Sequence, residues 1–165
     1  MIKNNLIKDF LVVFSIFLLD RISKIYVIYL DGKLNGEEIY LSKFLNIQLV
    51  WNEGIAFGLF SFNNSDFYDI LSLIIAGVIL VLLIMAFKNN GFKKYSLLMI
   101  IGGALGNLHD RIMFSAVTDF IDFHIGNFHW FIFNVSDIFI SLGVLFLIIF
   151  EIIDNQKNKI DEKNI

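Results

Sequence analysis

The stretch FNVSDIFISLG, residues 133–143, begins the last of four long apolar segments in this 165-residue chain. It places the amide of Asn134 and the carboxyl group of Asp137 directly before a run of side chains suited to lipid. A charged side chain in the middle of a membrane helix costs about 2.5–3.5 kcal/mol, so such residues usually face a protein interior or a water-filled cavity. Asp137 therefore has to be explained by helix capping, by pairing or by chemistry.

Composition limits the class of protein. Hydrophobic residues make up 57% of the chain and the mean hydropathy is +0.72, which exceeds what a soluble domain of this length can bury. A net charge of −3 without a basic face argues against a nucleic-acid partner. The sequence has no cysteine, which excludes disulfides, thiol nucleophiles and thiolate metal sites. These features predict a membrane protein.

The apolar segments cover residues 7–30, 70–87, 95–113 and 133–153. Each is long enough to cross a membrane core, which takes about 20 helical residues. The fold class predicted is therefore an all-α membrane protein with four transmembrane helices. Lysines concentrate at the two chain ends and in the loop KNNGFKK, residues 88–94, which places both termini and that loop in the cytoplasm. Loops 31–69 and 114–132 then face outward.

The first outer loop, residues 31–69, alternates β-branched and aromatic residues with polar ones and contains glycines. This pattern predicts a small extracytoplasmic β-sheet between helices 1 and 2, or a hairpin that only packs on the helices. We expect one integral membrane domain over residues 1–153. Residues 154–165 form a polar cytoplasmic tail that we expect to be disordered.

Charged residues interrupt the first and third apolar segments. Asp20 and Lys24 are four residues apart on one helix face, and Asn107, Asp110 and Arg111 lie within one turn. One interpretation is a buried ion-pair network, in which each aspartate meets Lys24 or Arg111 and the helices are held together. A second is the proton relay of a small transporter.

Asp119 and Asp137 are predicted on the same outer side of the membrane, and loop 114–132 between them has no lysine or arginine. Two carboxylates close together in a poorly hydrated site tend to share one proton and to titrate as a unit. An aspartic protease uses such a pair to activate water and polarise a carbonyl. From spacing alone, capping explains Asp137 equally well, and Asp122 is as plausible as Asp119.

Other chemistry has little support. The chain contains no HExxH or GxSxG motif, and its three histidines show no recognised ligand spacing, so no metal site is predicted. The small residues of GGALG, residues 102–106, indicate close helix packing in lipid. A non-catalytic scaffold that packs on a partner through this surface is the third interpretation.

Five blocks, in chain order, resemble lipoprotein signal peptidase (signal peptidase II), the bacterial membrane aspartic protease family. The blocks are DRISK (20–24), WNEGIAFG (51–58), GGALGNLHDRI (102–112), VTDFI (117–121) and FNVSDI (133–138). The chain departs from the family pattern at Ser136, where alanine is usual, and at Ile138, where serine is common.

The resemblance implies that Asp119, rather than Asp122, forms the catalytic pair with Asp137. It also implies supporting roles in two groups. The residues expected to bind substrate or support the dyad are Asn52, Gly54, Asn107, Arg111 and Asn134. The residues expected to have a structural or positioning role are Asp20, Lys24 and Asp110.

The same resemblance implies cleavage of diacylglyceryl prolipoproteins just before the lipidated cysteine, without a metal or organic cofactor. The implied partners are this substrate, membrane lipids and the cyclic peptide inhibitor globomycin. The implied location is the bacterial cytoplasmic (inner) membrane, with the active site near the extracytoplasmic face.

Overall fold

The computed structural model describes residues 2–53, 65–126 and 128–163. The four apolar segments are helical, except for residues 133 and 134 at the start of the fourth. Helices 1 to 3 extend beyond both ends of the predicted segment, and helix 4 extends beyond its C-terminal end. The helices are α1 (Ile2–Lys33), α2 (Ser65–Lys88), α3 (Gly91–Phe114) and α4 (Val135–Lys163). Two stretches, Asp69–Lys88 in α2 and Val135–Asp154 in α4, are long and apolar enough to cross a membrane.

Helix α3 lies at the centre and packs against α1, α2 and α4. Its glycines permit this close approach, as GGALG predicted. A methyl group on Gly102 would lie 2.9 Å from Cβ of Ile16 in α1, and one on Gly103 would lie 2.5 Å from the backbone oxygen of Ser136 in α4. Both distances are shorter than a carbon atom tolerates, so a side chain at either position would push the neighbouring helix away.

The outer surfaces of all four helices carry large apolar side chains that are exposed, among them Phe10, Leu73, Phe92 and Ile148. Fully buried apolar residues such as Leu97 and Ile101 lie on α3. Exposed apolar area on this scale is costly in water and favourable in lipid. The arrangement is typical of a helical body that lies in a membrane.

The sheet has four antiparallel strands in the order β1-β2-β3-β4. These are β1 (Ile39–Ser42), β2 (Leu45–Asn52), β3 (Val117–Ile125) and β4 (Phe128–Phe133). The prediction of a small sheet between helices 1 and 2 is confirmed by β1 and β2, but it was incomplete, because loop 114–132 supplies the other half of the sheet. An isolated two-stranded hairpin is marginally stable, and pairing β2 with β3 joins two hairpins into one sheet.

The polar C-terminal segment is helical through Lys163, as an extension of α4. The expectation of disorder over residues 154–165 is wrong for that part. Glutamine, glutamate and lysine are good helix formers, and the segment has no glycine or proline to stop a helix already begun by the apolar part of α4.

Candidate active site

Two carboxylates lie at the end of the helical body that carries the sheet. Asp119 is the third residue of β3 and Asp137 is in the first turn of α4. Both line one cavity of about 630 Å³. The polar lining residues are Asn52, Asn107, Arg111, Asp119, Asp137 and Ser141. The remaining walls are apolar and come from β3, β4 and α4, including Val117, Phe131 and Ile138.

Asn134 connects the two carboxylates. Its side-chain amide donates a hydrogen bond to Oδ1 of Asp119 at 2.6 Å, and its backbone N–H donates to Oδ2 of Asp137 at 3.1 Å. The backbone N–H of Asp137 in turn donates to Oδ1 of Asn134 at 3.1 Å. This reciprocal pair is a capping box at the start of α4. Sequence spacing could not decide whether Asp137 caps a helix or belongs to an active site. In the structure, Asn134 and Asp137 form the cap and also line up the two carboxylates.

Each carboxylate also accepts a hydrogen bond from an amide on another element. Asn52, the last residue of β2, donates to Oδ2 of Asp119 at 2.9 Å. Asn107 of α3 donates to Oδ1 of Asp137 at 2.8 Å. Three asparagines from three places in the chain therefore fix the orientation of the two carboxyl groups without neutralising them.

Arg111 is the basic residue on the cavity wall among the described residues. Its guanidinium interacts electrostatically with Asp119 and Asp137, and within the described part of the chain it pairs with neither. The loop between the two aspartates contains no lysine or arginine. The positive charge comes instead from the last turn of α3.

Burial of the Asp119 carboxyl group raises its pKa from an ordinary 3.8 to about 6. The neighbouring carboxylate of Asp137 acts in the same direction, whereas the hydrogen bonds from Asn52 and Asn134 oppose the rise. The free energy lost when the carboxylate is removed from water exceeds the stabilisation that the two amide hydrogen bonds give it. A carboxyl group with this pKa can hold a proton near neutral pH.

The raised pKa predicts a pH-dependent cost to stability. The folded protein keeps the Asp119 proton up to about pH 6, whereas the unfolded chain releases it near pH 3.8. The contribution of Asp119 to the free energy of unfolding is therefore fully present below pH 3.8. As the pH rises to 6, this contribution falls by on the order of 3 kcal/mol. We expect the unfolding free energy of Asp119→Asn, relative to wild type, to increase by that amount between pH 3.5 and 7. A pH-independent difference in chemical unfolding would contradict the assignment.

Four charged residues form a buried cluster between α1 and α3, which we call the ion cluster: Asp20, Arg21, Lys24 and Asp110. Lys24 Nζ lies 3.0 Å from Oδ2 of Asp20 and 2.9 Å from Oδ2 of Asp110. Arg21 lies 3.0 Å from Asp20 and 2.6 Å from Asp110. Two cations and two anions balance, as a buried network requires.

The sequence left Lys24 and Arg111 open as partners of each aspartate. Lys24 contacts both Asp20 and Asp110, whereas no ion pair with Arg111 is present among the described residues. Arg21, for which the sequence predicted no role, is the second cation of the ion cluster. Arg21 and Arg111 each adjoin an aspartate in sequence, and only the rotation of α1 against α3 determines which arginine faces inward. No spacing rule in a single sequence reports that rotation.

The ion cluster also contacts the backbone next to both site aspartates. Oδ1 of Asp20 accepts a hydrogen bond from the backbone N–H of Ser136 at 3.0 Å. Oδ2 of Asp110 accepts one from the backbone N–H of Thr118 at 3.0 Å. Each donor is one residue before a site aspartate, so the cluster fixes where β3 and α4 begin.

Lys24 links the cluster to the cavity by donating to Oδ1 of Asn107 at 2.9 Å. This bond orients the Asn107 amide so that its nitrogen faces Asp137. Ser136 is fully buried, and its hydroxyl lies toward Gly106 of α3. Its hydroxyl has no hydrogen-bond partner among the described residues. The departure from alanine at Ser136 therefore changes the packing against α3, while its backbone N–H serves Asp20.

Two other expectations concern residues near the site. Asp122, the alternative to Asp119, is buried outside the cavity lining, 2.7 Å from Nδ1 of His129, so the structure brings Asp119 and not Asp122 to Asp137. Successive residues of a strand alternate between its faces, which separates positions three apart. Gly54 lies outside the described residues, with the rest of GIAFG.

Comparisons with known proteins identify the family. The family model of signal peptidase (SPase) II matches residues 12–153. A lipoprotein signal peptidase of Pelagibacter ubique is 43% identical over 160 residues, covering 97% of this chain and 96% of the relative. One from Anaplasma marginale is 39% identical over 88% of this chain and 85% of its own length.

The fold agrees as well. A bacterial membrane enzyme solved by the in meso method superposes with a TM-score of 0.73 at 30% identity, covering 92% of this chain and 91% of that one. The chain is thus similar to these relatives in sequence and in fold over nearly its whole length, and it belongs to the signal peptidase II family.

Proposed function

We propose that Asp119 and Asp137 are the catalytic dyad with which this lipoprotein signal peptidase removes signal peptides from diacylglyceryl-modified prolipoproteins, just before the lipidated cysteine. The observation that carries the proposal is the bridge by Asn134 between two carboxylates that line one cavity. No other pair of carboxylates among the described residues lines that cavity.

The dyad acts through one shared proton. The ionised carboxylate removes a proton from water as the water oxygen attacks the scissile carbonyl carbon, and the protonated partner donates its proton to the carbonyl oxygen. Collapse of the tetrahedral intermediate breaks the C–N bond, and the proton taken from water passes to the leaving amine. Asn52, Asn107 and Asn134 hold both carboxyl groups in place throughout.

The cavity walls suit a lipidated substrate. Apolar residues of β4 and α4 line the cavity beside the dyad and offer a surface for acyl chains or for the apolar part of a signal peptide. Arg111, on the cavity wall, and Gly54, from its motif, would bind substrate or support the dyad. Globomycin would inhibit by occupying the same cavity.

The proposed topology has four membrane spans, with both termini in the cytoplasm and the dyad and sheet near the extracytoplasmic face of the bacterial cytoplasmic membrane. Lysine-rich ends and the 88–94 loop support this orientation. Exposed apolar side chains on all four helices support the number of spans. Residues 1–153 form the peptidase domain, and residues 154–165 form a cytoplasmic tail.

The activity is tested with purified protein in lipid nanodiscs and two forms of one precursor, diacylglyceryl-modified and with the acceptor cysteine changed to alanine. We expect cleavage of the lipidated form only, with mass spectrometry identifying the modified cysteine as the new N-terminus. Equal cleavage of both forms, or a new N-terminus elsewhere, would contradict the proposed specificity.

A further inference from the structure

A second cluster of ligand-type side chains lies on the β3–β4 hairpin, away from the dyad. Asp122 and His124 are two residues apart on β3, so their side chains share one face of the strand. His129 is the cross-strand partner of His124, at an irregularity in the pairing of β3 with β4. The two imidazole rings are 5.4 Å apart and inclined by 32°.

The three potential donor atoms converge. Nδ1 of His129 lies 2.7 Å from Oδ2 of Asp122, and Nδ1 of His124 lies 3.7 Å from the same oxygen. All three atoms lie within 4.8 Å of one another. Ligand atoms around a tetrahedral Zn²⁺ with bonds near 2.0–2.1 Å are separated by roughly 3.4 Å. The observed distances bracket that value.

Burial makes this cluster unusual. The side chains of Asp122 and His124 are 0% and 8% exposed. Yet Oδ1 of Asp122 and Nδ1 of His124 have no hydrogen-bond partner in the part of the chain that the structure describes. Buried polar atoms are nearly always paired, and an unpaired one costs about 1–3 kcal/mol. Both unpaired atoms belong to Asp122 and His124, two of the three residues whose donor atoms lie close together.

We propose that Asp122, His124 and His129 form a binding site for a divalent transition metal ion, with Zn²⁺ as the best match. Two imidazole nitrogens and one carboxylate oxygen are a common ligand set for Zn²⁺, and water completes the tetrahedron. The side chain of His129 is 50% exposed, which provides an entry path.

The site is separate from the dyad, because none of its three ligands lines the catalytic cavity. It joins β3 to β4 beyond the point where β3 presents Asp119. A bound ion would give the unpaired atoms of Asp122 and His124 coordinate bonds and would hold β3 and β4 together. Metal binding is therefore expected to stabilise the protein and to be measurable without any substrate.

The test uses metal-stripped, full-length protein without a histidine tag, in detergent. Titration with Co²⁺ is expected to give the visible absorption of a tetrahedral site at one equivalent, and Zn²⁺ to abolish it and raise the melting temperature. His129→Gln is the principal variant, since its side chain is half-exposed and the glutamine amide can still donate a hydrogen bond to Asp122. We expect it to weaken Zn²⁺ binding more than about 100-fold, beyond the usual effect of losing an outer-shell partner.

His109→Gln is the matched control, because His109 lies on α3 and is outside this cluster. It should bind Zn²⁺ like wild type. His124→Gln provides a second ligand variant. Failure of the wild-type protein to bind Zn²⁺ or Co²⁺ would overturn the proposal. So would one-equivalent binding that persists in both His124→Gln and His129→Gln, because the ion would then lie elsewhere.

Discussion

Asp137→Asn and Asp119→Asn are each expected to lower the rate of prolipoprotein cleavage by about 10²–10⁴-fold, the usual contribution of a positioned acid or base. An amide can neither accept the proton of the attacking water nor hold the shared proton. The capping bonds of Asp137 with Asn134 can largely persist in the asparagine variant, because the new side chain keeps one carbonyl oxygen. The loss should therefore appear in turnover rather than in folding.

Asp69→Asn is the control for this comparison. Asp69 is an exposed aspartate on α2 and lies outside the cavity lining. It receives the same change from carboxylate to amide and is expected to cleave at the wild-type rate. Melting temperatures of all three variants in the same nanodiscs establish that each is folded. Wild-type turnover by a folded Asp119→Asn or Asp137→Asn protein would remove that residue from the dyad.

Lys24→Met is expected to cost about 3–5 kcal/mol of folding stability, the loss that follows when one partner is removed from a buried ion pair. Lys24 is fully buried and contacts Asp20 and Asp110. Without it, two carboxylates share the single charge of Arg21 in a site that water does not reach. Asn107 also loses the donor that orients its amide. Equilibrium denaturation in mixed detergent micelles measures the change.

Lys93→Met is the matched control, because it removes the same charge from an exposed ion pair. Lys93 lies 2.6 Å from Glu151, with side chains 39% and 54% exposed. Exposed pairs contribute about 0–1 kcal/mol, so this variant should remain within that range of wild type. If Lys24→Met and Lys93→Met lose equal stability, the ion cluster does not hold α1 to α3.

The sequence predicts the helices well because membrane helices need long apolar segments, and the chain has four. It does not predict the origin of β3 and β4, because strand pairing depends on loops that are distant in sequence. Asp119 and Asp137 could be singled out by topology, yet only the motif distinguished Asp119 from Asp122. Strand alternation in β3 gives the physical reason, since it places these two aspartates on opposite faces.

The arginines show where sequence reasoning stops. Arg21 and Arg111 have equivalent patterns, each beside an aspartate in an apolar segment, and the structure uses one in the ion cluster and the other in the cavity wall. The rotation of packed helices decides this, and it follows from many contacts at once, including those at Gly102 and Gly103. The cluster of Asp122, His124 and His129 was missed for a related reason, because it depends on the pairing of β3 with β4.

The central claim is that Asp119 and Asp137 act as one unit. The most direct test is the single-turnover cleavage rate of a diacylglyceryl prolipoprotein by the double variant Asp119→Asn/Asp137→Asn, compared with each single variant. Residues that act as a unit are strongly non-additive, so the double variant should cleave about as slowly as the slower single variant. A double variant whose loss equals the product of the two single losses would show that the carboxylates act independently and would contradict the dyad.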